Sequence, residues 1–412
     1  MNPRQRALTA LAHRESDRVP VFDINVNSPV VQAVLGRDSW MGTGGYAWVQ
    51  KYGEMLSAGQ RDEYVDGLAA DTVDFACWAG WDLVVAPFCP GEDPLVPERV
   101  GERAWRYEHP ETGLWYVMTY LPETDVASQA DHSFCHDGPE GLRRYVDWRE
   151  SRPVVPDDAA LEVARRVVLA CGRERLVLAG WYDVPGAIDQ AWMPLYFEWL
   201  LTEPELMDRY LCIETDFVIA QVTRAAELGV DGIVAATDLA GKNGPFISPR
   251  LYRERILPHF KRLVDACHAR GLVVIKHTDG NIGAIEQELL VDSGVDGYHA
   301  IDPSAGMDLA EVKRRHGDRL TLCGNVDAAR VLTFGTPQQV RQEVRRCLRQ
   351  AAAGGGFILA SSNSIHSQVP PDNLRAMLDA AREYGQYPIE LLQEGRDESR
   401  APSAPACGGH KE

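Results

Sequence analysis

The chain has no G-x-G-x-x-G fingerprint and no P-loop, so it lacks the glycine-rich cradles that mark many nucleotide sites. It also has no apolar run near the roughly 20 residues that a membrane-spanning helix needs. None of its nine cysteines (77, 89, 135, 171, 212, 267, 323, 347 and 407) forms a C-x-x-C pair. An odd, scattered set excludes a disulfide framework and a structural zinc knot, and points to free thiols used as core filler. Positive charge is scarce as well: 42 Lys+Arg stand against 60 Asp+Glu, for a net charge of −18. Such a surface repels nucleic acid and anionic lipid. The start, Met1-Asn-Pro-Arg-Gln-Arg6, runs into a short amphipathic segment without an apolar h-region and cleavage site. The expectation is a cytoplasmic protein with no nucleic-acid and no membrane partner.

What is present reads as one large domain. The 412 residues are 45% hydrophobic and 25% charged, ordinary values for a globular protein. Short apolar runs that read as buried strands recur at 19–22, 82–86, 176–180, 232–236, 272–276, 297–300, 320–324 and 356–360. Segments of helical period lie between most of them, among them 204–228, 249–270, 282–293, 309–316 and 337–353. Gly229, Gly271, Gly294 and Gly317 stand where helix C-caps belong. Eight continuous apolar strands alternating with amphipathic helices predict an α/β fold, a (β/α)₈ TIM-type barrel over residues 1–392.

Two stretches depart from the repeat. Residues 90–120 predict a β-hairpin turning at Glu111-Thr-Gly113, inserted over the barrel mouth. Residues 24–60 are a second insertion, a lid or partner surface. The tail 393–412 is rich in small and polar residues and predicts disorder, so Cys407 and His410 carry no site.

The most informative stretch is Leu272-Val-Val-Ile-Lys276 followed by His277-Thr-Asp279-Gly-Asn281. In an extended strand His277 and Asp279 share a face, which suits a metal-ligand pair or an acid/base pair. The bland alternative is a histidine that only hydrogen-bonds a neighbouring carboxylate. In a parallel barrel the carboxyl ends of all strands converge on one face. In chain order those ends supply Asp23 and Asn25, Pro87 and Cys89, Trp181-Tyr182-Asp183, Thr237-Asp238, His277 and Asp279, His299 and Asp302, Asn325 and Asp327, then Ser361-Ser-Asn363 with His366. So many imidazole, carboxylate, amide and phenol groups on one face read as a functional site.

Structural roles compete at several of these positions. Asp302 precedes proline and fits a turn, and Asn325 and Asp327 fit helix N-caps. Ser248-Pro249 reads as an N-cap with proline at N1. His259, His268 and His316 fall on outer helices and are expected on the surface, and Trp192 and Trp199 fit core packing. Cys323, late in a predicted strand, is the thiol singled out.

The opening Arg4-x-Arg6-Ala-Leu-x-Ala-Leu-x-His13-Arg-Glu-x-Asp17-Arg-Val-Pro20 resembles the start of the uroporphyrinogen decarboxylase (URO-D) superfamily, especially its methyltransferase-like branch. So do Lys276-His-Thr-Asp-Gly-Asn281, Gly317–Asp327, Gly335–Val340 and Gly354–Pro388. The resemblance implies a (β/α)₈ barrel. It also implies one of two chemistries. Decarboxylases of the family bind substrate carboxylates with arginines near the amino terminus, where this chain has Val19-Pro-Val-Phe-Asp-Ile-Asn25. The decarboxylase histidine near the eighth strand aligns with Asn363. The methyltransferases act with corrinoid proteins and hold zinc through a His-x-Cys pair and a further Cys. Here those places correspond to His277, Asp279 and Asn363, harder donors than thiolates.

The resemblance therefore implies an enzyme, foremost a metal-assisted, corrinoid-linked methyltransferase or demethylase of a small substrate. Zn²⁺ or another divalent ion would be held by His277, Asp279 and Asn363. Catalytic roles fall to His277, Asp279, Asp238 and Tyr182, and substrate binding to Asp23, Asn25, Asp183, His299, Asn325 and His366. The alternatives are a cofactor-free decarboxylase of a small acid, or a non-catalytic barrel that docks a corrinoid protein. A homodimer follows by analogy.

Overall fold

The computed structural model describes residues 1–91, 94–184, 186 and 190–389. The predicted tail at 393–412, with Cys407 and His410, lies outside the described residues.

Seven parallel strands form one curled sheet: β1 Leu83–Ala86, β2 Leu176–Gly180, β3 Gly232–Ala235, β4 Val273–His277, β5 Gly297–His299, β6 Thr321–Val326 and β7 Phe357–Ser361. Each pairs with its successor in sequence, as successive strand–helix units require. Except at exposed-side Val273 their residues are buried, because helices cover the sheet from outside.

The predicted first strand, 19–22, is a single bridge of Val21 to Leu359 and not a regular strand. Pro20 has no N–H to give, and the Val21 N–H goes to the Asp82 carboxylate at 2.8 Å. The segment still spans the two sheet edges. Leu359 N donates to Pro20 O at 2.9 Å, and Asp82 N donates to Val21 O at 2.8 Å. It thereby links β7 back to β1 and supplies the eighth stave.

The outer helices are built on apolar stripes. In Pro337–Ala351, residues Val340, Val344, Cys347, Leu348 and Ala351 are buried, one face of a 3.6-residue period. Thr336 caps it, its hydroxyl accepting from Gln339 N while the Gln339 side chain accepts from Thr336 N. Ser248 caps the helix at Pro249 as expected. In the stretch 282–293 the helix is confined to 286–292, ending in the π-helical turn Glu288–Asp292.

The arginines of the opening motif close the barrel floor. Arg4 forks onto Asp231 with two 2.5 Å bonds, and Arg6 bridges Asp17 and the fully buried Asp82. Both acceptors precede strands, on the face opposite the strand carboxyl ends.

The insertions differ from expectation in extent. The predicted hairpin is the middle of a four-stranded antiparallel meander, Glu98–Gly101, Ala104–Glu108, Trp115–Leu121 and Val126–His132. The last strand, Val-Ala-Ser-Gln-Ala-Asp-His, has one β-branched residue and no alternation, so its sequence carries little strand signal. The first insertion folds as the helix Ser28–Leu35 and the helical run Tyr46–Ser57, and it walls one side of the barrel mouth.

Candidate functional site

Strand alternation at the end of β4 sorts four side chains into two sets. Lys276 and Thr278 point one way, His277 and Asp279 the other. Lys276 is fully buried, and its ammonium is met by Asp183 Oδ2 at 2.5 Å and Thr237 O at 2.7 Å. Asp183 also accepts from Thr237 N and Val184 N, which uses its remaining acceptor capacity. Asp183 is therefore a buried counter-ion to Lys276, and it also lines a small pocket with Thr237 and Asp238.

On the other face, His277 Nε2 lies 3.8 Å from both Asp238 Oδ1 and Asp279 Oδ1. One ligand atom from each of Asp238, His277 and Asp279 falls within 4.8 Å of the others. The Asp279 N–H donates to Asp238 Oδ1 at 2.9 Å, which ties the loop after β3 to the end of β4. Thr278 fixes the same junction by accepting from Leu239 N at 2.9 Å.

Electrostatics favour a cation between these groups. Burial pushes the Asp238 carboxyl up, and Asp302 nearby adds to the shift, against the Asp279 N–H and Lys276. Burial, and secondarily Lys276, pushes His277 down to about 3, so its imidazole is neutral. A neutral imidazole with two carboxylates is a donor set for a divalent ion. The residues present therefore fit such an ion.

His277 Nδ1 stands 2.9 Å from His299 Nδ1. Burial and the neighbouring His277 hold His299 well below the usual histidine range, so two neutral rings share one hydrogen there. With that hydrogen on His277, its Nε2 carries a bare lone pair directed at the carboxylates. His299, expected as a substrate group, is a hydrogen-bond partner of His277.

Asn363, expected as a metal ligand beside His277 and Asp279, lies against Asp279. Its amide donates to Asp279 Oδ2 at 2.5 Å, and its Oδ1 accepts from Ser364 N. It orients Asp279, and Asp238 joins His277 and Asp279 in the cluster.

A cavity of about 230 Å³ opens at the strand ends, though Asp238, His277 and Asp279 are not among its described lining residues. A smaller pocket of about 30 Å³, lined by Asp183, Thr237, Asp238 and Lys276 among others, is the one that reaches the cluster. Asp23, Asn25, Pro87, Phe88, Cys89 and Trp181 line the larger cavity from the barrel, and Met41, Thr43, Trp48 and Tyr52 from the first insertion. Among its described lining residues Asp23 is the one acidic group, and there is no Lys, Arg or His. Cys89 is buried, donating to the Ala159 and Ala160 carbonyls.

Three expected site residues are turned elsewhere. Tyr182 packs edge-on against Phe88 at 4.9 Å, and Trp181 takes the place at the cavity wall. Asn325 donates to Ile301 O at 2.8 Å and accepts from Arg346, which joins β6 to its outer helix. His366 Nε2 pairs with the Thr333 hydroxyl at 2.9 Å. Asp302 and Asp327 cap short helical turns. His316 is buried against Glu286 at 2.6 Å and is not the surface residue expected. Trp192 and Trp199 are core, and burial pushes the Cys323 thiol up. Sequence reading missed the role of Ser361 and of the aromatic wall from residues 41–64. Neither carries a local signal.

Fold and site define a parallel α/β barrel with a polar cluster at its strand carboxyl ends. Within that class, residues 192–384 match the sequence model of uroporphyrinogen decarboxylase (URO-D). Uroporphyrinogen decarboxylase of Psychromonas ingrahamii is 29% identical over 185 residues, 44% of this chain and 49% of that protein. Methylcobamide:CoM methyltransferase MtaA of Methanosarcina barkeri is 26% identical over 189 residues, 46% of this chain and 52% of that protein. The matched part spans about half the length of these curated relatives. A solved methyltransferase from Methanosarcina mazei superposes with a TM-score of 0.62 over 93% of this chain and 99% of that one, at 18% identity, a likeness of fold. No helix among the described residues is long and apolar enough to cross a membrane.

Proposed function

We propose that this chain is a methyltransferase-like enzyme that moves a one-carbon group between a small substrate and a corrinoid carried by a partner protein. The observation that carries the reading is the cluster of Asp238, neutral His277 and Asp279 at the strand ends. Similarity to both a methylcobamide methyltransferase and decarboxylases supports the family-level part of it. Zn²⁺ or another divalent ion held there would act as a Lewis acid on a substrate oxygen.

The chain's own residues do the rest. Asn363 holds Asp279, His299 holds the His277 ring, and Asp183 pairs with the buried Lys276, whose charge favours a neutral His277 and an ionised Asp238. The cavity volume of about 230 Å³ lies below the roughly 300–1,000 Å³ of drug-sized sites, which suits a small substrate and not a tetrapyrrole.

Decarboxylation of a small acid is the second reading, supported by the decarboxylase relatives. Among the described residues the cavity is lined by no Lys, Arg or His, so a substrate carboxylate there would have no protein cation beside it. The test is metal content of protein purified without chelator, together with isotope-labelled methyl donors. A near-stoichiometric divalent ion, lost in His277→Ala and Asp238→Ala, with label passed to a corrinoid protein, is expected. Folded, metal-free protein that releases CO₂ from a small acid would overturn the reading.

A further inference from the structure

The four-stranded meander inserted between β1 and β2 covers a second cavity, of about 270 Å³, which the helices Pro139–Glu150 and Pro204–Glu227 close from the other side. It shares no described lining residue with the two pockets at the strand ends. Six aromatic side chains wall it: Trp115, Tyr116, Phe134, Tyr145, Trp192 and Tyr210. They brace one another, with Phe134 edge-on to Trp192 at 5.1 Å and Trp192 edge-on to Tyr210 at 6.0 Å. Folded interiors are packed to crystal density, so a space of this size between rigid rings lacks contacts that an occupant would restore. A cavity of about 150 Å³ already admits benzene, so this one has room for a ring with substituents.

The polar atoms of the wall are donors. His132 Nδ1 accepts from Phe134 N at 3.0 Å, and His109 Nδ1 accepts from Glu111 N and Thr112 N at 3.3 Å. A neutral imidazole whose Nδ1 accepts carries its hydrogen on Nε2. Burial pushes both rings down, His132 to about 4, so both are neutral near pH 7. Neither Nε2 has a hydrogen-bond partner among the described residues. Gln190 Oε1 accepts from Trp192 Nε1 at 2.6 Å, which leaves the Gln190 amide hydrogens, and the Tyr145 hydroxyl is engaged by Glu214. No Asp, Glu, Lys or Arg stands among the described lining residues. The two imidazoles come from different parts of the wall. His109 follows the strand Ala104–Glu108 and lies edge-on to Trp148, whereas His132 ends the last strand beside Phe134 and Trp192. An occupant that satisfies both needs acceptor atoms on two edges.

We propose that this cavity binds a neutral, planar aromatic compound with acceptor oxygens or nitrogens on two edges, held between the aromatic faces and hydrogen-bonded by His109 Nε2 and His132 Nε2. The occupant is a second ligand of the chain, separate from whatever reacts at the Asp238–His277–Asp279 cluster. The inference therefore stands or falls independently of the methyl-transfer reading.

Calorimetric titration of the full chain with three one-ring probes tests it. The probes are para-diacetylbenzene, para-diethylbenzene, which has the same outline without acceptors, and phenyltrimethylammonium. The diketone is expected to bind at least about tenfold more tightly than either of the others, which leave two N–H groups unpaired. His109→Phe and His132→Phe each keep a ring in place and remove a donor. Each is expected to weaken the diketone about fivefold or more and to leave the hydrocarbon within about twofold, a split that lost packing would not produce. The wild-type comparison decides even where a variant does not fold. Equal binding of diketone and hydrocarbon by wild type, or tighter binding of the ammonium probe, would overturn the proposal. So would a diketone affinity that both folded variants retain, or no binding by folded wild-type protein.

Discussion

His277 and His299 face each other through their Nδ1 atoms at 2.9 Å, two neutral rings joined by a single hydrogen. That contact decides which nitrogen of His277 is available to the Asp238–Asp279 pair.

Replacing His299 with Leu removes the acceptor that orients His277 while preserving an apolar fit beside Phe22. Partners of this kind contribute about 10–100-fold in metal affinity. Chelator competition on the purified variant should show a loss in that range, and His277→Ala a larger one. Unchanged affinity in His299→Leu would remove the orienting role.

The Lys276–Asp183 pair is buried on both sides, with side-chain exposures of 1% and 7%. Lys276→Met leaves a carboxylate in the barrel wall with no cation, which typically costs about 3–5 kcal/mol. Denaturant unfolding should show that loss, and Lys276→Met with Asp183→Asn should recover part of it.

Asp23 makes stability depend on pH. Its folded-state value, pushed up to about 7, lies above the ordinary carboxylate range near 4. The folded protein then holds a proton that the unfolded chain has lost. Its contribution is fully present below about pH 4 and is lost as pH rises to about 7, on the order of 1.4 kcal/mol per unit. Asp23→Asn should be more stable than wild type at pH 8 by a few kcal/mol, a difference that shrinks towards pH 4. Ser361→Ala removes the hydroxyl that favours the carboxylate and should move the midpoint further up.

On the barrel floor, Arg6 and Arg18 hold the fully buried Asp82. Arg6→Leu should cost about 3 kcal/mol in thermal or denaturant unfolding. Well below the melting temperature, kcat should not change, since Arg6 stands on the face opposite the cavity.

Much of the barrel was legible in the chain. Seven of the eight apolar runs are strands within one or two residues of the expected limits, and helices such as Pro204–Glu227 and Pro337–Ala351 follow their apolar period. The exceptions have local causes. Pro20 and the Asp82 carboxylate replace main-chain pairing at 19–22, and the strand Val126–His132 has almost no alternation of its own. Among the site groups, strand-end reading drew attention to Asp238, His277 and Asp279, which lie together. It could not separate them from Asp183, Asn325 and His366, because a polar residue after a strand looks the same whether it faces the mouth or an outer helix.

Hydrophobic period, turn residues and caps are local properties, so the order of strands and helices, and the face on which their carboxyl ends gather, could be read from the chain alone. Which groups touch is a property of closure. Asp23 and Ser361 are 338 residues apart, and Asp279 and Asn363 are 84 apart. Their hydrogen bonds exist because the sheet curls until its last strand meets the segment before its first. The raised Asp23 carboxyl beside Ser361 and the contact of Asn363 with Asp279 depend on that closure, and no spacing in the sequence encodes it.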